Sequence, residues 1–303
     1  MKETVRIGTR KSKLAMIQTN MIISMLSELA PNTKFEIIPI STIGDEILDK
    51  PLVQFGGKGV FVDVFEDALL NGKIDLAVHS AKDMTMELPK GLGILGIPKR
   101  EDPRDVLVTY NRQLSEGSRA VIGTSSLRRQ FQIQQHYQAE SSSLRGNVPT
   151  RLEKLKKGEY DGIILAVAGL KRLGLMAEED FKYRIFSTEE FVPAAGQGIL
   201  AVEGRLEEEL SELVSGINDK ETAISLMTER RVLEKLNAGC HEAIGVYSEI
   251  STGILKIDAI YKREDGIIRV MEEGPIEDYL SAADRAADKL LEKQPGNSQS
   301  IRY

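Results

Sequence analysis

Several arginines stand beside glycine, serine or threonine at the ends of predicted strands, and they suggest where this chain binds a ligand. The carboxyl ends of strands in an α/β sheet face the ligand crevice, and a guanidinium group holds a carboxylate or phosphate through two parallel hydrogen bonds. Any one of these arginines is equally well explained as a solvated surface residue. Together they favour a ligand with many negative charges. The set consists of Arg10, Arg128, Arg129, Arg145, Arg151 and Arg172.

Asp83 follows Lys82 directly after the predicted strand DLAVHS. At that end of a strand, a carboxylate can accept N–H hydrogen bonds from a ligand and transfer a proton. Aspartate is also favoured as the capping residue at a helix N-terminus, and the residues around Asp83 leave both interpretations open. His79 lies within the apolar strand itself, so a buried, hydrogen-bonded histidine is favoured over a catalytic one.

A glycine-rich segment, GGKGVF, contains Lys58 and Phe61. It is not a phosphate-binding P-loop, because that motif requires glycine, four residues and then Gly-Lys-Ser/Thr. We predict that this segment forms a mobile lid over a ligand, with Phe61 as the apolar contact behind it.

Cys240 is the only cysteine and lies in the glycine-containing loop NAGCHEAIG. A lone cysteine is more often inert and buried than functional, and its neighbours in the sequence do not decide between the two. One cysteine excludes an internal disulfide framework. The histidines at 79, 136 and 241 are too scattered for a structural zinc site, so we predict no metal site.

The bulk composition, with 41% hydrophobic and 28% charged residues, is that of an ordinary globular protein. A net charge of -6 argues against general nucleic-acid binding, which needs a basic surface. The start MKETVRIGTR lacks the apolar run of a signal peptide, and no stretch approaches the roughly 20 apolar residues that span a bilayer. We therefore expect a cytoplasmic protein without nucleic-acid or membrane partners, and nothing in the sequence demands more than a monomer.

Strand and helix patterns alternate along most of the chain and predict an α/β fold in three domains. We expect residues 1–98 plus 199–217 to form the first domain, because the strand pattern GILAVEG returns to an earlier sheet. Residues 99–198 form the second, and the charged stretch KREDPRD marks the crossing between them. Residues 218–303 form a smaller third domain, in which a long helix precedes the cysteine loop.

The first two domains contain a short internal echo. Leu69, Gly72 and Asp75 lead into one strand, and Leu155, Gly158 and Asp161 lead into another at identical spacing. Matches this short arise by chance about as often as by true repetition. If the repeat is real, two strand-to-helix turns face each other across a cleft, and their exposed backbone N–H groups suit an anion.

A series of longer motifs resembles the porphobilinogen deaminase (hydroxymethylbilane synthase) family closely. These motifs occur in the family's order from the start of the chain to the third domain, and together they are highly specific. They are GTRKSKLAMIQ, GGKGVFVDVFEDALL, DLAVHSAKD, GTSSLRR, RGNVPTRL, AVAGLKRLG, PAAGQG and LNAGCHEAIG.

The resemblance implies a transferase of heme (porphyrin) biosynthesis with three α/β domains, the first two like the halves of a periplasmic binding protein. It also implies a dipyrromethane cofactor attached by a thioether to Cys240. Four porphobilinogen molecules are then joined head to tail on this cofactor with loss of ammonia, and water releases the linear tetrapyrrole hydroxymethylbilane. Asp83 would be catalytic, because it would hydrogen-bond pyrrole N–H groups and stabilise the positive charge that develops as ammonia leaves.

The resemblance also divides the ligand-binding residues into two groups. Those expected to hold the cofactor are Cys240, Ser80, Lys82, Asp83, Thr124, Ser126, Arg128, Arg129, Arg145, Gly146, Arg151 and Gly169. Those expected to serve the incoming substrate are Arg10, Ser12, Arg172, Phe61 and Lys58.

Some positions depart from the family pattern without removing a charged or nucleophilic group. Ala81 and Thr85 stand where a larger apolar residue and a proline are commoner, and Ala238 and Ala243 stand where glycine and proline are expected. The main rival interpretation is a non-catalytic two-domain protein that binds an anionic solute. A phosphate-ester enzyme is disfavoured, because neither a P-loop nor a cluster of metal-binding carboxylates accompanies the arginines.

Overall fold

The computed structural model describes residues 2–41, 63–238, 242–264 and 266–292. Its strands contribute to three sheets. In chain order the strands are β1 (Thr4–Arg10), β2 (Lys34–Ile40), β3 (Leu76–Ser80), β4 (Leu92–Gly96), β5 (Asp105–Tyr110), β6 (Arg119–Gly123), β7 (Gln138–Ser142), β8 (Gly162–Ala166), β9 (Phe181–Ile185), β10 (Leu200–Arg205), β11 (Ile244–Ser251), β12 (Ile254–Arg263) and β13 (Gly266–Pro275).

Helices cover the faces of these sheets. In chain order they are α1 (Lys13–Leu29), α2 (Asp63–Leu70), α3 (Leu127–His136), α4 (Val148–Lys156), α5 (Val167–Arg172), α6 (Glu208–Ser215), α7 (Lys220–Lys235) and α8 (Tyr279–Leu291). Within the described residues, none of these helices is both long and apolar enough to cross a membrane.

The first two sheets share one topology. Their strand orders are β2-β1-β3-β10-β4 and β7-β6-β8-β5-β9. In each sheet the first three strands are parallel, and the fourth (β10 or β5) runs antiparallel to both of its neighbours. In each case the antiparallel strand directly follows a segment that crosses from the other sheet. The architecture is α/β, as the sequence predicts, and β10 returns to the first sheet.

The internal echo is a true structural repeat, because its two aspartates make the same contacts. Asp75 donates its N–H to Arg6 O and accepts the Arg6 N–H on Oδ2, both at 2.8 Å. Asp161 does the same with Val121, at 2.9 and 2.7 Å. Each aspartate therefore ties the strand that it precedes (β3 or β8) to the adjacent parallel strand, β1 or β6. Buried backbone groups need such partners.

The first sheet is buried on both faces, which explains why β3 is a nearly continuous apolar run. Leu76 and Val78 pack under α1 and α6, against side chains such as Leu26. Ala77 faces the opposite layer, where Phe65 of α2 lies. Leu26 and Leu76 are fully buried, and each such side chain contributes about 1.5–3 kcal/mol to stability.

The third sheet, in the order β11-β12-β13, is antiparallel. Helices α7 and α8 cover one face, and alanines on α8 such as Ala283 and Ala286 are fully buried, which allows the helix to approach the sheet closely. On the other face, Ile260 packs against Phe131 and Val192 near the second sheet. The third domain is thus fixed to the second by an apolar contact.

Candidate active site

The turn after β3 places Asp83 at the surface of the first domain. β3 ends at Ser80, and Ala81–Asp83 form a short 3-10 turn. Met84 is extended, so no helix begins at Asp83 and the capping interpretation is wrong. Asp83 is exposed, as a carboxylate that meets a ligand must be.

Residues of the segment before β10 and of α1 contact this turn and the end of β3. The Ala81 N–H donates to Ile199 O at 3.0 Å. Gly196 has φ +71°, and a Cβ there would lie 3.0 Å from Lys82 N, so only glycine lets this segment pass so close. Ser80 Oγ accepts from Gln18 Nε2 at 3.1 Å, which directs β3 and α1 toward the same edge of the sheet.

Arg128 and Arg129 lie buried around a carboxylate that sequence reasoning missed, Asp105 at the start of β5. Arg128 Nη1 donates to Asp105 Oδ2 at 2.7 Å, and Arg129 Nε donates to Asp105 Oδ1 at 2.9 Å. Burial opposes ionisation of Asp105, but the two guanidinium charges outweigh it and lower the pKa of the carboxyl group. Burial lowers the pKa of Arg128. Its Nε is buried without a hydrogen-bond partner among the described residues.

Arg151 and Arg145 add positive charge to this cluster. Within the described part of the chain, neither side chain forms an ion pair. Burial, together with the charges of Arg129 and Arg145, lowers the pKa of Arg151 to about 10, while the charge of Asp83 acts in the opposite direction. The turn of Asp83 and the second-domain arginines are also joined by contacts, because Gly196 packs against Lys82 N and its neighbour Gln197 accepts from Arg129 Nη2 at 3.4 Å.

Gly146 shapes the loop that carries these arginines. Its φ is +109°, and a Cβ there would lie 2.8 Å from Thr150 Cγ2. Arg151 Nε donates to Gly146 O at 2.7 Å, which fixes the guanidinium group against the loop.

Lys82 belongs to the same electrostatic cluster. Desolvation of its ammonium group lowers the pKa of Lys82 to about 8, although the carboxylate of Asp83 favours the charged form. The charges of Arg129 and Arg128 lower it further, and Asp105 raises it.

The predicted hydroxyl residues mostly serve the local backbone. Ser12 caps α1 by accepting from Ala15 N, and Ser126 caps α3 by accepting from Arg129 N. Thr124 is buried, and its hydroxyl accepts from Ser126 N at 3.2 Å. These caps lie at the N-termini of α1 and α3, where the positive end of the helix dipole favours an anion.

The predicted substrate residues lie along the edges of the first two domains. Arg10 is half-buried at the end of β1. Arg172 ends α5 and donates from Nη2 to Gly198 O at 2.7 Å, while burial lowers its pKa.

Gly169, from the predicted cofactor set, lies on α5 and faces α1, because a Cβ there would contact Leu14 Cδ2 at 3.7 Å. Lys58, Phe61 and Cys240 lie outside the described residues.

A second missed carboxylate, Glu229 on α7, joins the three domains. It is fully buried and accepts from Arg100 Nη1 at 2.6 Å, from Gly196 N at 2.7 Å and from Ser248 N at 2.8 Å. Arg100 and Gly196 lie on the two segments that cross between the first and second sheets. The charged stretch KREDPRD signals a crossing, and Gln197, which accepts from Arg129, lies in the PAAGQG motif, but Glu229 has no motif of its own.

The described residues contain no group of three acidic, histidine or cysteine side chains placed to hold a metal ion.

Family models cover nearly all of this architecture. Residues 5–212 match the model described as "Porphobilinogen deaminase, dipyromethane cofactor binding domain", and residues 223–292 match "Porphobilinogen deaminase, C-terminal domain". The chain belongs to the porphobilinogen deaminase family. The family resemblance seen in the sequence is confirmed, and with it a transferase of tetrapyrrole biosynthesis that uses a dipyrromethane cofactor.

Individual relatives agree with this membership. A curated protein named porphobilinogen deaminase, from Alkaliphilus metalliredigens (strain QYMF), is 44% identical over 296 residues, or 96% of this chain and 93% of the relative. Among solved structures, the periplasmic VFT2 domain of Bordetella pertussis BvgS is 13% identical, with a TM-score of 0.43, over 71% of this chain and 86% of that domain. An ancestral arginine-binding protein is 17% identical, with a TM-score of 0.38, over 72% and 91%. Structural similarity this low does not bear on function.

The charge balance of the site fits the cofactor that this porphobilinogen deaminase family uses. Each pyrrole ring of a dipyrromethane carries an acetate and a propionate, so the group is strongly anionic. The cationic side chains of the cluster outnumber its carboxylates, Asp83 and Asp105. These cations are Lys82, Arg128, Arg129, Arg145 and Arg151. The excess of positive charge, with the unpartnered Nε of Arg128, suits a polycarboxylate.

Proposed function

We propose that this chain joins porphobilinogen units head to tail at the cluster of Lys82, Asp83 and the second-domain arginines, on a dipyrromethane carried by Cys240. The observation that carries this proposal is the contact between the two sides of the cluster: Gly196 packs against Lys82 N, and the adjacent Gln197 accepts from Arg129 Nη2 at 3.4 Å. When bound, the dipyrromethane would supply the terminal pyrrole carbon to which the first unit is joined, and each later unit is joined to the one added before it. Four additions followed by hydrolysis yield hydroxymethylbilane, the product of the family.

The arginines and Lys82 bind the acidic side chains of the rings and so orient them. Arg145 and Arg151, which have no ion pair among the described residues, can each take a ring carboxylate through two hydrogen bonds. Arg128 and Arg129 hold their positions through Asp105 and contribute positive potential. Ser80, Thr124, Ser126, Gly146 and Gly169 shape the walls around the same cofactor rings. Arg10, Ser12 and Arg172 serve the incoming ring, together with Lys58 and Phe61.

Asp83 is the catalytic residue of this proposal. Its exposed carboxylate accepts pyrrole N–H hydrogen bonds and stabilises the positive charge that forms as the carbon–nitrogen bond of the substrate breaks and ammonia leaves. The pyrrole ring that bonds to the substrate then loses the proton from the carbon that forms the new bond, and Asp83 accepts this proton.

The wider organisation follows the same proposal. We place the domain boundaries at 1–98 plus 199–217, 99–198 and 218–303, which is supported by the position of β10 in the first sheet. We also propose a cytoplasmic monomer without nucleic-acid or membrane partners, in keeping with the acidic net charge of -6. The rival solute-binding protein is not favoured, because both family models belong to an enzyme.

Intact-mass spectrometry of purified variants tests the attachment site and the catalytic residue together. The protein without a substitution should exceed the mass of its polypeptide chain by two pyrrole units. Cys240→Ser should lose this increment, because the thioether cannot form. Asp83→Asn should keep the increment and a normal melting temperature but lose turnover by at least about 100-fold, the range of a general acid–base contribution. An adduct on the serine variant, or normal turnover in the asparagine variant, would refute the corresponding role.

A further inference from the structure

The backbone immediately after Asp83 is held by a side chain from the third domain. Arg230 of α7 donates from Nη2 to Thr85 O at 2.6 Å and to Met86 O at 2.7 Å. Both acceptors lie within three residues of Asp83. A hydrogen bond from a charged donor contributes about 1.5–3 kcal/mol, so this is a firm attachment of the turn.

Asp83 depends on this backbone for its position. Within the described part of the chain, its carboxylate accepts no hydrogen bond, and it is exposed. The turn itself is fixed on one side by the bond from Ala81 N to Ile199 O. On the other side it is fixed by Arg230 and by the Thr85 hydroxyl, which donates to Glu87 O at 2.9 Å. The Thr85 hydroxyl also lies 3.3 Å from Glu66 Oε1, so loss of Arg230 would loosen one end of the segment that carries Asp83 without releasing it.

Arg230 also connects this turn to the part of the chain that leads to the cofactor cysteine. α7 ends at Lys235, and Cys240 follows five positions later in the sequence. A single side chain thus relates the catalytic turn of the first domain to the helix that precedes the attachment point. A misplacement of about 1 Å between reacting groups can cost on the order of 100-fold in rate.

The neighbouring arginine makes different contacts and offers a matched control. Arg231 Nε donates to Asp284 Oδ1 at 2.6 Å, and Arg231 Nη1 donates to Glu234 Oε2 at 3.0 Å. Both partners belong to helices of the third domain. Arg231 therefore has the same chemistry and the same helix, but no contact with the catalytic turn among the described residues.

We propose that Arg230 is a positioning residue for the condensation reaction, which holds the turn of Asp83 in register with the cofactor-bearing domain. This inference rests on the function proposed above. A groove of about 710 Å³, lined in part by Met86, Leu88, Leu280 and Arg230 itself, lies beside the contact. Water in this groove can hydrate the two carbonyl groups once the guanidinium group is removed, so the change affects position more than folding.

Steady-state kinetics of Arg230→Gln, Arg230→Lys and Arg231→Gln test the proposal. Arg230→Gln should keep the dipyrromethane mass increment and lower kcat by about 10- to 100-fold, with KM changed by less than about 3-fold, because binding groups are intact while Asp83 is displaced. Arg230→Lys should recover part of kcat, since an ammonium group can still donate to carbonyl oxygens. Arg231→Gln should retain kcat within about 2-fold of the unchanged enzyme.

Three results would overturn the proposal: an unchanged kcat in Arg230→Gln, an equal loss of kcat in Arg231→Gln, or a loss that appears only in KM. If Arg230→Gln does not fold, Arg230→Lys decides alone, and a kcat equal to that of the unchanged enzyme refutes the role. A missing mass increment in the unchanged protein would instead count against the proposed function, so the two failures are distinguishable.

Discussion

Asp105 sets the charge that the arginine cluster presents to a ligand. It is fully buried and bonds both Arg128 and Arg129, so it neutralises one of these two guanidinium charges and fixes both in place. A pair of buried cations without it would repel each other and resist desolvation. Asp105 thus leaves the site with net positive charge while it reduces the repulsion between the two buried arginines. Arg145 and Arg151 supply the charge that a ligand can neutralise.

The lowered pKa of Lys82 predicts an alkaline limit to cofactor binding. With a pKa of about 8 in the cofactor-free protein, Lys82 is charged below that pH and loses its charge as the pH rises through it. Assembly of the dipyrromethane on the cofactor-free protein, followed by intact mass, should therefore slow above about pH 8, because the neutral amine no longer attracts a ring carboxylate. Lys82→Arg should move this slowing to higher pH, because arginine stays protonated. Superimposable profiles between about pH 7 and 10 for the two proteins would contradict the assignment.

At this scale the sequence predicts residue types better than their pairing. The arginines stand out because several of them, such as Arg10, Arg145 and Arg151, lie beside a glycine or threonine. The partner of Arg128 and Arg129 does not, because Asp105 precedes them by more than 20 positions and meets them only through the position of β5 beside β8. Such pairing depends on sheet order, which no local pattern encodes.

At the scale of elements, the two crossing segments meet at Gly198. This glycine has φ +88°, and a Cβ there would lie 2.2 Å from Glu101 O, a distance at which the backbone must move. Its own carbonyl oxygen accepts from Arg172. The PAAGQG motif is therefore explained by close approach of the two crossing backbones at Gly198 and Glu101, shortly before β10 and β5 begin.

Replacing Gly198 with alanine should destabilise the protein more than the same change at Gly158. Both positions have positive φ, which costs about 1–2 kcal/mol for a residue with a Cβ. Only Gly198 has a backbone oxygen in the way, whereas nothing lies within 4 Å of a Cβ at Gly158. We expect the melting temperature to fall by several degrees more in Gly198→Ala. Equal melting temperatures for the two variants would show that the crossing tolerates the extra atom.

The sequence predicts β3 and β10 to within two residues, through the patterns DLAVHS and GILAVEG. It does not single out β7, whose residues QAESS have neither apolar alternation nor β-branched side chains. β7 forms because β6 offers a parallel partner, a tertiary effect. Likewise, the short echo around Asp75 and Asp161 becomes convincing only when the same hydrogen bonds are seen on both.

For the whole molecule, Glu229 is the group on which the arrangement of domains depends most. Its carboxylate bonds Arg100 on one crossing, Gly196 on the other and Ser248 within the third domain. Removing one member of a buried ion pair leaves the other uncompensated, at a cost of about 3–5 kcal/mol.

Glu229→Gln should therefore lower the melting temperature by several degrees, because Arg100 would keep its charge without a partner. Asp284→Asn provides the control, since it removes only a partly exposed ion pair with Arg231, and such surface pairs contribute little to stability. Calorimetry of the two variants measures both effects. A shift in Glu229→Gln no larger than that in Asp284→Asn would mean that the apolar contacts alone fix the domains.

The return of β10 to the first sheet has a consequence for how the protein is made. β10 lies between β3 and β4, yet it leaves the ribosome after every strand of the second sheet. Synthesis of the roughly 100 intervening residues takes about 5–20 s at typical elongation rates. Until β10 emerges, β3 has an unpaired edge, whereas the second sheet has all of its strands as soon as β9 has been made. We therefore expect the nascent chain to complete its middle domain first, so that the amino-terminal domain is the later of the two to close.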